Sequence, residues 1–114
     1  MISNERRLQL EARILRAAIS ELLNHGYLLS VFDGEEFTVR RCADARAIFA
    51  ALRTTDEDIL YVYEPHCEGL KRLGWIQFAY GNEPGVVIAD YTVNLEPMLA
   101  QTQIIADTIN ARYA

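Results

Sequence analysis

The sequence predicts an α+β domain built on one mainly antiparallel sheet, and three observations predict it. Apolar residues recur at helical spacing at both ends of the chain and once between. Five short apolar or alternating runs separate those stretches, each bounded by Gly, Pro, Asn or Asp. The links between neighbouring runs are of hairpin length, which joins antiparallel strands. The expected order is αββαβββα, a five-stranded sheet with its helices packed on one face. At 114 residues, 51% hydrophobic and without internal repeat or linker, residues 1–114 read as a single domain.

SNERRLQLEARILRAAISELLNHG predicts a helix over Asn4 to His25. Leu8, Ala12, Leu15, Ile19 and Leu22 form its stripe, widened by Ile14, Ala18 and Leu23. Ser3 or Asn4 caps the start, and Gly26 supplies a left-handed residue after the end. Glu5, Arg13 and Glu21 fall on the wet side. YLLSVFDGEEFTVRR then gives two strands around Asp33-Gly34, a hairpin signal because glycine accepts positive φ. Alternation sets Tyr27, Leu29 and Val31 on one face, and Phe37 and Val39 on one face of the partner strand. A second helix is expected over Ala43 to Arg53, with Asp44 in its first turn at the positive end of the dipole.

Thr54 to Asp58 reads as a polar break. DILYVYEP is a third strand stopped by Pro65, GWIQFAYG a fourth and VVIADYT a fifth. Asn94 is the expected cap of a last helix running to Ala111, with Glu96 and Pro97 tolerated in its first turn. If Ile76, Phe78 and Tyr80 point to the helices, Trp75, Gln77 and Ala79 point away from them. An uncovered Trp75 would be a recognition anchor. The alternative, which the sequence favours, is a tryptophan at the strand start half buried under a loop.

Charge is unevenly spread. Residues 1–53 hold eight arginines against seven acids, a balance of +1; residues 54–110 hold Lys71 and Arg72 against nine acids, a balance of −7. An acidic half argues against direct nucleic-acid binding, which wants a basic stripe over the phosphates. It suits a protein partner with a basic surface, or serves solubility alone. The charged N-terminal stretch does not fit a signal peptide, and no apolar run approaches the ~20 residues of a bilayer span. Cys42 and Cys67 are too few for a disulfide scaffold. The expectation is a cytoplasmic protein with reduced thiols.

No motif carries a reaction. Cys42 or Cys67 would need His25 or His66 beside it as a base, and EPHCEGL has no nucleophile context. Zinc wants close pairs of Cys or His, and Asp56, Glu57 and Asp58 lack the alternate spacing of a calcium loop, so neither metal nor cofactor is expected. Phosphate loops, dinucleotide fingerprints and nucleophile elbows are missing too. The aromatics Tyr61, Tyr63, Trp75, Phe78 and Tyr80 are interleaved in sequence with acids, where a single-strand binder would interleave bases.

Gly74-Trp75, Tyr80-Gly81-Asn82, Val87-Ile88, Asp90-Tyr91-Thr92 and Asn94-Leu95-Glu96 together resemble a segment of small uncharacterised proteins of bacterial phages, plasmids and integrated elements. The resemblance covers about a fifth of the chain and implies a mobile-element accessory protein, with no mechanism attached.

Three functions follow as expectations. The first is an acidic protein-binding module that inhibits or modulates a host nucleic-acid-binding or defence protein. Asp56, Glu57, Asp58, Glu64, Glu68 and Glu83 would carry its charge, with Trp75, Tyr61 and Tyr63 as contacts. The second is a structural homo-oligomer, a homodimer being the simplest, that uses the same aromatics. The third is an enzyme with acid–base chemistry near Asp90, Tyr91 and His66, or between Asp90 and Glu64. Acids gathered on one edge would support the first.

Overall fold

A computed structural model describes residues 2–66 and 68–113. It has the predicted α+β architecture: α1 (Asn4–Asn24), β1 (Leu28–Phe32), β2 (Phe37–Cys42), α2 (Ala45–Ala51), β3 (Glu57–His66), β4 (Gly69–Ala79), β5 (Ile88–Tyr91) and α3 (Ala100–Tyr113). Short 3₁₀ turns at Pro84–Val86 and Val93–Leu99 frame β5. The sheet order is β2-β1-β3-β4-β5, antiparallel throughout. Among the described residues, no helix is long and apolar enough to cross a membrane.

Ser3 caps α1 by accepting the Arg6 N–H at 3.1 Å, and Gly26 follows it at φ 81°. The buried stripe of α1 keeps Ala12, Ile14, Leu15, Ala18, Ile19 and Leu22 of the predicted one and is wider than expected. Leu10 and Glu11 are fully buried while Leu8 is 40% exposed. Glu11 reaches the loop after β4, where its Oε2 accepts the Gly81 N–H at 3.2 Å. Glu21, expected to be wet, instead crosses to α3 and accepts from the N–H groups of Gln101 and Thr102 and from the Thr102 hydroxyl. A carboxylate from one helix thus caps the N-terminal turn of another, where free N–H groups and the dipole favour it.

α2 is shorter than predicted because Asp44 precedes it as the cap, accepting from Arg46 and Ala47. The last helix also starts late. Pro97 has no N–H to give, and the chain from Val93 stays 3₁₀ until Ala100. Asn94 does not cap it; its amide donates to the Leu73 carbonyl at 2.8 Å and ties this turn to β4.

Leu29, Val31, Leu60, Val62, Ile76 and Phe78 meet Leu10, Ile14, Leu15, Leu22, Ile48, Leu99 and Ile109 in one core. All three helices therefore cover the same sheet face. Beyond Tyr63 and Leu73 the β3–β4 hairpin pairs only with itself, an arm that helps lengthen the molecule to 50 Å against 28 and 21 Å in the other directions.

Candidate functional site

The sheet face away from the helices gathers side chains that the sequence scatters. Pairing of Ser30 with Tyr61 and of Tyr61 with Trp75 sets these three on one face, and Leu28 with Tyr63, Phe32 with Ile59 and Gln77 with Asp90 follow. None of them belongs to the core. Phe32, Phe37 and Tyr61 form a ring cluster with centroids 5.1, 5.7 and 6.5 Å apart. Trp75 lies within β4, half-buried, and not at a strand start; its backbone N–H donates to the Thr92 hydroxyl at 3.1 Å. That approach explains Gly74, which makes no turn. A Cβ there would stand 2.0 Å from Thr92 Oγ1.

Two bulges give this face its charge. In β4, Val62 pairs with Gly74 and Tyr63 with Arg72, which leaves Leu73 unpaired. The extra residue brings Arg72 to the same side as Trp75, with its guanidinium 4.6 Å from the Tyr61 ring centre. In β2, Arg40 and Arg41 together oppose Ser30 between the pairs Leu29–Cys42 and Val31–Val39. Arg40 then lies 5.0 Å from the Phe37 centroid and Arg41 5.8 Å from that of Tyr63. A further register shift at Thr38 separates Phe37, on the open face, from Val39, against the core. The predicted shared face for those two is therefore corrected. Among the described residues, none of these three guanidiniums pairs with a carboxylate.

Of the nine residues expected to bind a partner, Tyr61, Tyr63 and Trp75 come together; the six acids do not. Asp58 is 1% exposed and structural, accepting the Arg53 N–H at 2.9 Å and the Tyr80 hydroxyl at 2.6 Å. Burial and this bond push the Tyr80 hydroxyl pKa well above its usual value. Of the run DED, only Asp58 is withdrawn from solvent; Asp56 and Glu57 are exposed. Asp56, Glu57 and Glu83 sit at one end of the sheet, where Tyr80 donates to the Asp56 carbonyl and Glu57 pairs with Ala79. Glu64, opposite Lys71, and Glu68 lie toward the hairpin tip. Seven strand steps, about 23 Å, part Glu57 from Glu64.

The residues imagined as acid–base partners are also apart. His66 pairs with Gly69 near the tip, whereas Tyr91 pairs with Ile76, again about 23 Å along the strand. Partial desolvation and the nearby Glu96 and Asp90 raise the Tyr91 pKa, and its hydroxyl donates at 3.4 Å to Glu96, not to His66 or Asp90. Cys42 ends β2, two residues before the α2 cap, and its sulfur accepts the Asp44 N–H. Cys67 lies outside the described residues. Among the described residues, no three of His, Cys, Asp and Glu are placed to hold a metal ion.

The arginines escaped the sequence reading because only pairing across the sheet reveals their face. One signal was present. Two consecutive arginines in FTVRRC break a period-two pattern, as a bulge would. Comparison with protein-family models, curated proteins and solved structures returns no match.

Proposed function

We propose that this chain is a protein-binding module that docks its partner on the uncovered sheet face, and that the docked segment is acidic with an apolar or aromatic anchor. One observation carries the reading: Tyr61, Trp75, Phe32 and Phe37 lie uncovered by any helix beside Arg40, Arg41 and Arg72, which have no carboxylate partners among the described residues. Aromatic side chains with arginine are the composition of binding hot spots. A guanidinium stacked on a ring keeps its in-plane N–H groups free for a carboxylate. The dispersal of Asp56, Glu57, Glu64, Glu68 and Glu83 gives no support to a mimic of nucleic acid, which needs closely spaced charges. Modulation of a host protein by a mobile-element product remains compatible with docking of this kind.

The test is capture of a partner from the native host by wild type, by Tyr61→Ala/Trp75→Ala and by Arg72→Gln. Docking on this face predicts a partner lost by the double variant and weakened by Arg72→Gln and by raised salt. Retention by all three would refute it. Charge polarity favours a second reading. Glu57 and Asp90 share this face with the arginines but lie away from them, so a second copy related by a two-fold axis could match cation to anion. A mass of twice 13.0 kDa in sedimentation, reverting to 13.0 kDa in the double variant, would select that reading.

A further inference from the structure

We propose that the pocket beside the Arg40–Arg41 bulge binds a phosphate monoester carried on a flat ring. Ser30, Phe37, Arg40, Arg41 and Tyr63 line an open cavity of about 450 Å³, within the range of small-molecule clefts. Both arginines line it, and among the described residues each guanidinium lies over a ring, Phe37 or Tyr63, and makes no hydrogen bond or ion pair. Their N–H groups are unspent. Two such forks on one cavity suit a group of charge near −2, which a monoester carries at neutral pH. Ser30 adds a third donor. Its side chain is 2% exposed and its oxygen accepts the Arg41 N–H at 2.8 Å, while its own proton is given to no described residue. Phe37 and Tyr63 supply apolar walls for the ring.

The backbone supports the assignment. Among the described residues, two that are not glycine have positive φ, Arg41 at 47° and Arg53 at 65°. Arg53 has structural grounds, since its N–H binds Asp58 and its guanidinium donates to the Leu8 carbonyl at 3.0 Å. Arg41 has no such use for its side chain. Glycine would hold that bend with less strain, so the arginine is explained by what its guanidinium meets in the pocket. Such strain is found at ligand sites. The inference goes beyond partner docking: it names a small ligand for Arg40, Arg41 and Phe37, which the docking face shares, and it needs neither Trp75 nor Arg72.

The experiment is titration of the full chain, in low salt free of phosphate, with phenyl phosphate, adenosine monophosphate and inorganic phosphate. Binding is followed at the Arg41 amide by two-dimensional NMR. The expected result is saturation by at least one ester, at least tenfold tighter than inorganic phosphate. Arg41→Gly is expected to weaken that binding tenfold or more without lowering the melting temperature, and Arg40→Gln to weaken it similarly. A preference for adenosine monophosphate identifies the source as a nucleotide, and a preference for phenyl phosphate as a phosphorylated tyrosine; either supports the pocket. No saturation at millimolar ester, equal binding of inorganic phosphate, or full binding by Arg41→Gly would overturn it. Loss of ester binding while a protein partner is still captured would reject the pocket alone.

Discussion

The two faces of this sheet obey different rules although they alternate along the same strands. On the covered face, Leu60, Val62, Ile76 and Phe78 are fully buried and regular, each meeting helix side chains. On the open face, Phe32, Phe37 and Tyr61 lean on one another, with Trp75 paired beside Tyr61 and with arginines placed over the rings by bulges. The covered face accounts for folding. The open face spends aromatic surface and local strain on an arrangement that folding does not require, which is what a binding surface looks like.

The largest expected effect breaks the covered face. Phe78→Ala should cost about 3–5 kcal/mol in urea unfolding, and a loss below ~1 kcal/mol would show that face to be less tightly packed than described. Next is Asp58→Ala, at about 2–3 kcal/mol, since the Tyr80 hydroxyl and the Arg53 N–H both lose their acceptor. Glu21→Ala should cost about 1–2 kcal/mol by uncapping α3, with amide exchange quickened first at Thr102. On the open face, Tyr61→Ala should cost no more than about 1 kcal/mol while removing partner capture. A larger loss would blur the contrast between the faces.

The smallest effect near neutrality is one of pH. An unfolded chain releases a tyrosine proton near pH 10, whereas the folded chain holds that of Tyr80 to higher pH. This contribution is complete below pH 10 and is lost as pH rises above it, by at most about 1.4 kcal/mol per pH unit. Tyr80→Phe, less stable at pH 7, should therefore show a shallower decline between pH 10 and 11.

How much of this the sequence revealed follows the same division. Helical spacing located α1 and α3, and alternation with Gly and Pro breaks located all five strands, because burial on one face imposes a period. The shared face of Tyr61, Tyr63 and Trp75 was legible from alternate positions. The arginines were not. Bulges at Leu73 and Arg40–Arg41 shift the period, and sequence spacing then assigns the wrong face. The acids misled in another way. Asp58 and Glu21 are bonded into the fold, and Glu57 and Glu64, close in sequence and on one strand, lie at opposite ends of it. Net charge, at −5, describes the whole molecule and says nothing of a single face.

The most direct measurement uses Trp75, the chain's one tryptophan, as a probe of that face. Its fluorescence should be quenched more by iodide than by caesium at low ionic strength, against the sign of the net charge, because Arg72 sits over the neighbouring Tyr61. Arg72→Gln should erase the difference. Stronger quenching by caesium, or none by either ion, would contradict an open, locally cationic docking face.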